Sequence, residues 1–348
     1  MQAEAVPASS LSVDYVVSTL ISIPSKTIAL IQAIFYAVIA LPGTAWRACQ
    51  SAKQWIQHGI ACCVVPALAM GEYDWGWVHG QAIVSGFRQA ALWGLNASET
   101  TYSPVPEVSL NGVKIIHTTP SATPPATPLA VPAERQKWVV YFLPNAALWE
   151  HMLPVLLEIS KKTQANVLCY NYRGAGFSSG VVLSPQDLIC DGVDTVNSLL
   201  AQGVRMEDIT LHGFSLGGGV ATQVAKRFAD QNRAVNLVNE RSFASIPEFL
   251  QSTLPVIIGH LAGWIVWLVG WELNSQQALT HLRGHVLAIS MAHDPISTFG
   301  RAARTTATQA QMQYLDMQHG QNDGNPHCRP WKPAEWNQYV SRMQSFAA

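Results

Sequence analysis

The stretch Asp208-Ile209-Thr210-Leu211-His212-Gly213-Phe214-Ser215-Leu216-Gly217-Gly218-Gly219 decides the fold. It runs from a short β-type segment, Asp208 to His212, through the pattern Gly-x-Ser-x-Gly, into a helical segment, Leu216 to Phe228. The five-residue pattern alone is weak evidence. With a strand before it and a helix behind it, the pattern acquires a mechanical meaning. A serine on so tight a turn has a strained backbone, and the flanking chain passes so close that side chains at 213 and 217 would collide. The turn holds the Ser215 hydroxyl at the carboxyl edge of a sheet, where ligands of open α/β folds bind. The helix aims its positive N-terminal end at the same place, and the Leu216 N–H can donate to an oxyanion.

Outward from this turn, short apolar runs alternate with helical segments. Lys137 to Leu143, Asn166 to Tyr170, Ala234 to Asn239, His285 to Ser290 and Gln313 to Met317 read as further strands. Leu148 to Lys161, Leu188 to Leu200 and Ala334 to Phe346 read as helices between and after them. Such alternation over ~240 residues predicts an α/β fold, a mostly parallel sheet with helices on both faces. Ahead of it, Val108 to Leu110 and Val113 to Ile116 flank Asn111-Gly112, which predicts a β-hairpin turning at that dipeptide. The five prolines between Pro120 and Pro132 predict a loop.

A serine hydroxyl needs a base, itself oriented by a carboxylate, and in this type of fold the order along the chain is serine, acid, histidine. Asp294 follows the strand His285 to Ser290 and is the preferred acid; Glu240, after the preceding strand, is its rival. Only His319 and His327 lie beyond Asp294. His327, in the irregular segment before the last helix, is preferred as the base, with His319 as the alternative. Pro144 has no N–H, so the second oxyanion donor falls to the Asn145 or Ala146 amide, Asn145 being the first choice.

Composition narrows the rest. The 348 residues are 49% apolar and only 12% charged, with a formal charge of −1, which excludes a disordered chain and a phosphate-binding field. No nucleic-acid partner, metal site or other cofactor is expected. The glycine run 217–219 lacks the lysine of a phosphate-binding loop. The cysteines Cys49, Cys62, Cys63, Cys169, Cys190 and Cys328 show no zinc spacing and are expected to be buried free thiols, with lipidation of the first three as the alternative. The N-terminus has no basic region ahead of an apolar one, so no secretory signal is expected. Residues 1–104 read as a helical accessory or membrane-associating region, and 105–348 as the α/β domain. Within the first, Ile28 to Leu41 is nearly all apolar but short of the ~20 residues that span a bilayer. Within the second, about 247–280 is an apolar insert, expected as a lid or as core packing; its stretch Leu254 to Leu273 has one charge, Glu272.

From about Val105 to the end, these residues resemble the α/β-hydrolase superfamily. Tyr170-Asn171-Tyr172-Arg173-Gly174-Ala175-Gly176-Phe177-Ser178 is similar to the Y-R-G-x-G-x-S segment of membrane-associated serine hydrolases that act on lipids. GFSLGG at 213–218 and Asn239 to Ile246 fit the same group, and the combination resembles the α/β hydrolases of intracellular bacteria such as chlamydiae and legionellae, some of them translocated into host cells. The resemblance implies an α/β-hydrolase fold, a triad of Ser215, Asp294 and His327, and a bacterial cytoplasmic or host-delivered location. Leu143-Pro144 stands where His-Gly is usual, and the histidine loop is longer than usual. Two functions follow as expectations. One is a serine hydrolase of carboxylic esters or thioesters, with a lipid-like acyl substrate and a membrane surface as partner. The other is a non-enzymatic protein of this fold that acts at a membrane or on a host protein.

Overall fold

The computed structural model describes residues 97–105, 108–117, 136–145, 147–320 and 323–346. The expectations for residues 1–96, including Ile28 to Leu41 and Cys49, Cys62 and Cys63, lie outside the described residues, as do the proline loop and Ala146.

Eight strands form one sheet: β1 (Ala97–Val105), β2 (Val108–Ile115), β3 (Trp138–Phe142), β4 (Asn166–Tyr170), β5 (Ile209–Phe214), β6 (Asn236–Glu240), β7 (His285–Met291) and β8 (Gln311–Met317). Their spatial order is β1-β2-β4-β3-β5-β6-β7-β8. Only β2 runs against its neighbours; the pairs from β4 through β8 are all parallel. The helices are α1 (Trp149–Thr163), α2 (Pro185–Ala201), α3 (Leu216–Ala229), α4 (Ile246–Thr253), α5 (Val256–Leu268), α6 (Ser275–Leu279), α7 (Phe299–Thr305) and α8 (Pro333–Ser345).

Central strands covered on both faces should be apolar throughout, and every residue of β3 (WVVYF) and β4 (NVLCY) is buried. Adjacent residues point to opposite faces. Tyr141 on β3 meets the ring of His212 on β5, and His212 Nδ1 is 3.1 Å from the Tyr339 hydroxyl on α8. Phe142, the next residue, lies instead against α2 and α3: a Cβ on Gly192 would sit 2.7 Å from its ring. One face therefore carries α8 and, packed on it, α1; the other carries the row α2, α3, α6 and α7.

Three expectations change. Asn111-Gly112 is not a turn. The chain runs straight through it within β2 and pairs on one side with β1 and on the other with β4. The glycine is there because β4 crosses so close that a Cβ at 112 would lie 2.3 Å from the Cys169 carbonyl oxygen. Buried Asn111 serves the sheet: its side-chain oxygen accepts from Trp149 Nε1 at 2.9 Å, and its amide donates to Glu99. Second, the sheet begins at Ala97, inside the span read as helical. Thr100-Thr101-Tyr102 favours extended structure and gains a pairing partner in β2. Third, of the described cysteines only Cys169 is buried; Cys190 and Cys328 are exposed.

Candidate active site

β5 delivers the chain to Ser215, whose backbone adopts φ 54° and ψ −118°, a region that side chains rarely occupy. The strain is held by packing. A Cβ on Gly213 would fall 2.1 Å from the Gly217 carbonyl oxygen, and one on Gly217 2.1 Å from the Phe142 carbonyl oxygen. The Ser215 N–H donates to the Glu240 carbonyl at 2.9 Å, and the Gly218 N–H returns to the Ser215 carbonyl at 2.9 Å, so β6 and α3 clamp the turn from both sides.

His327 comes from the loop between β8 and α8. Its Nε2 is 2.9 Å from Ser215 Oγ, and its Nδ1 is 2.8 Å from Asp294 Oδ2. Asp294 sits in the turn after β7, buried, with its Oδ1 accepting the Ile296 N–H at 3.0 Å. An ionised carboxylate only accepts, so Nδ1 carries the ring proton and Nε2 is left to accept from the serine hydroxyl. Among the sequence candidates, the structure thus brings Ser215, His327 and Asp294 into one hydrogen-bonded line. His319 is elsewhere, its Nε2 2.8 Å from the Gly324 carbonyl oxygen. Leu216 is the first residue of α3, so its N–H has no partner within the helix. Asn145 is in an exposed turn just beyond β3, on the same carboxyl edge of the sheet.

Glu240 is engaged below the site. Its carboxylate accepts from Trp331 Nε1 at 2.7 Å and from Arg241 Nη2 at 2.5 Å, and lies 3.0 Å from His212 Nε2. Burial alone would push this carboxyl up, but the Arg241 charge and the hydrogen bonds from His212 and Arg241 outweigh it and hold it at about 2, against an ordinary 4.5. Arg241, at φ 46°, spends its other nitrogen on the histidine loop: Nη1 donates to the carbonyls of His327 at 2.9 Å and Arg329 at 2.8 Å. Its guanidinium also lies over the Phe214 ring, which in turn stacks on the His327 imidazole, centroids 5.1 Å apart. The far end of the loop is tied by buried Arg329, bidentate to Glu335 on α8 at 2.5 and 3.1 Å. Sequence reasoning named Glu240 and missed Arg241, Phe214 and Arg329. The available signal was an adjacent acid–base pair closing an apolar strand in a chain this poor in charge.

The segment Tyr170 to Gly180 serves the frame. Arg173 is held by Asp191 and Asp187, Gly174, Gly176 and Gly180 all have positive φ, and Ser178 Oγ bridges the Asn171 carbonyl and the Asn111 N–H at 2.8 Å each. This loop fastens the end of β4 to β2.

The family described as Chlamydia CHLPS protein (DUF818) matches residues 129–301, a span that holds the serine turn and Asp294. Protein bem46 of Schizosaccharomyces pombe is 30% identical over 125 residues, which are 35% of this chain and 40% of that protein's length. An alpha-beta hydrolase (ABH) from Vibrio vulnificus, known from its crystal structure, matches with a TM-score of 0.57 at 17% identity, over 76% of this chain and 86% of that one. With its single antiparallel β2, the strained serine between β5 and α3, and the structural likeness to the Vibrio vulnificus protein, the chain has the α/β-hydrolase fold, and over residues 129–301 it is similar to the family described as Chlamydia CHLPS protein.

Proposed function

We propose that this protein is a serine hydrolase of carboxylic esters or thioesters with a lipid-like acyl group, working through a covalent acyl-enzyme. The observation that carries the reading is the line Ser215 Oγ to His327 Nε2 at 2.9 Å and His327 Nδ1 to Asp294 Oδ2 at 2.8 Å. In the first step His327 Nε2 takes the hydroxyl proton as Ser215 Oγ bonds to the acyl carbon. The resulting oxyanion is met by the N–H groups of Leu216 and Asn145. Asp294 keeps the imidazole in the correct tautomer and stabilises its charged form. The C–O or C–S bond then breaks and the leaving group receives the proton from His327. Water, deprotonated by the same nitrogen, releases the acid and restores Ser215. The acyl preference follows from the uncharged insert, residues 249–271, that follows β6 at the carboxyl edge of the sheet.

The test is hydrolysis of a p-nitrophenyl ester series. Wild type should turn over and Ser215→Ala should not. Mass spectrometry of a rapidly quenched reaction should find the acyl group on the peptide containing Ser215. Turnover that survives Ser215→Ala would refute the assignment.

A further inference from the structure

We infer that Tyr172 is a positioning residue of the oxyanion hole, holding the loop that carries Asn145 against the first turn of α3. This role rests on the hydrolase reading and deepens it, since it says what aims the second oxyanion donor. Tyr172 is the second residue past β4, inside the segment Tyr170 to Gly180, and it is 1% exposed. Its hydroxyl donates to the Leu143 carbonyl at 2.9 Å. Leu143 is itself fully buried, one residue past β3. Burial pushes the Tyr172 phenol well above its ordinary 10, so the hydroxyl keeps its proton and donates at any working pH.

Backbone geometry makes that one bond matter. The Leu143 carbonyl lies in the plane of the Leu143–Pro144 peptide, whose nitrogen has no hydrogen. The Asn145 N–H lies in the next peptide plane. Only the φ and ψ torsions of Pro144 separate the planes, and the ring locks φ at about −65°. Once Tyr172 fixes the first plane, ψ of Pro144 is the remaining freedom in the direction of the Asn145 N–H. Leu143-Pro144 therefore acts as a stiff link, with Tyr172 as its anchor. The Leu143 carbonyl is also where α3 closes on the loop: a Cβ on Gly217 would lie 2.7 Å from its oxygen. Leu216, whose N–H is the other donor, is the residue before that glycine. At the far end of the loop the N–H of Trp149, first residue of α1 and without a partner inside the helix, donates to Asn171 Oδ1 at 2.8 Å. Gly176 leaves room for that amide, since a Cβ there would sit 2.7 Å from Asn171 Nδ2. Adjacent residues past β4 thus hold both ends of the loop 143–149.

Tyr170 supplies a matched contrast. It is as buried as Tyr172, and the two rings meet edge to face with centroids 6.0 Å apart, yet its hydroxyl has no hydrogen-bond partner among the described residues. The same hydroxyl deletion can therefore be made with and without the loss of a bond to Leu143.

The test compares Tyr172→Phe with Tyr170→Phe in the full chain, on two p-nitrophenyl substrates that differ in one atom. One is an ester, the other the thionoester in which sulfur replaces the carbonyl oxygen. Sulfur accepts hydrogen bonds poorly, so a thionoester draws little help from an oxyanion hole. Losing one such donor outright costs ~10²–10³ in kcat, and a donor that is present but misaimed should cost less, ~10–100-fold. Tyr172→Phe should therefore lose ~10–100-fold in kcat on the ester with KM within ~2-fold, and under ~2-fold on the thionoester. The ester-to-thionoester ratio of kcat/KM should fall by ~5-fold or more. That ratio does not depend on how much of the sample is folded, so a less stable variant still reports. Tyr170→Phe should keep the wild-type ratio. An equal loss on both substrates in Tyr172→Phe overturns this role, because it places the damage in the triad or the frame. So does the same fall in ratio in Tyr170→Phe. Wild type that hydrolyses neither substrate overturns the hydrolase reading and this role with it, whereas wild-type turnover with an unchanged ratio in Tyr172→Phe overturns this role alone.

Discussion

Glu240→Gln isolates the buried network under the histidine loop. The wild-type carboxylate is held at about 2 from an ordinary 4.5. At ~1.4 kcal/mol for each pH unit of that interval, ionised Glu240 contributes about 3 kcal/mol to folding. The folded-state value is the lower one, so the contribution is complete above pH 4.5 and drains away as pH falls toward 2. The glutamine variant cannot ionise and never has it. Urea unfolding at pH 7 should therefore place Glu240→Gln about 3 kcal/mol below wild type. At pH 3.5 the gap should have narrowed by on the order of 1 kcal/mol, as wild type loses what the variant lacks. A gap under about 1 kcal/mol at pH 7, or one constant from pH 7 to 3.5, would refute the account of this network. The same variant decides between the two acids. Its side chain touches His212, Arg241 and Trp331 but not His327, so ester hydrolysis should stay within ~10-fold of wild type. A loss as large as that of Asp294→Asn would hand the acid's role to Glu240.

Asp294→Asn should cut kcat by ~10³–10⁴ with KM little changed, because the imidazole is left in the wrong tautomer. His327→Ala should cost ~10³ or more, and His319→Ala far less, since His319 bonds the Gly324 carbonyl; the reverse ranking in a p-nitrophenyl ester assay would exchange them. Gly217→Ala should yield little folded protein on expression, because its Cβ would press on the Phe142 carbonyl at 2.1 Å; a stable, active variant would contradict the tight crossing. Ser215→Ala, by contrast, should melt close to wild type in a thermal scan, as it removes only a hydroxyl.

What the sequence disclosed tracks how local the physics is. Strands β3 to β8 were legible within a few residues, because parallel strands buried on both faces are apolar runs bounded by turns. The serine turn was legible for a steric reason that lies within five residues. Asn111-Gly112 misled because glycine answers both the demand for a turn and the demand for a close crossing, and only the position of β4 tells which applies. That His327 and not His319 meets Ser215 is a contact across 112 residues of chain, which no local pattern carries. The hold of Arg241 on that loop spans 86 residues and was invisible for the same reason. Core packing was one expectation for the apolar insert, yet Ile257 and Leu261 of α5 are exposed. An apolar helix reads alike whether it is buried in a core or left facing outward.

The central claim is that Ser215 is a nucleophile activated by His327. The most direct measurement is covalent labelling of the full chain with a fluorophosphonate probe, read by intact mass and by the modified peptide. Wild type should gain one adduct, on Ser215. Ser215→Ala should gain none, and His327→Ala should label at a rate lower by ~10³. Folded wild type that stays unlabelled, or that labels as fast without His327 as with it, would contradict the account.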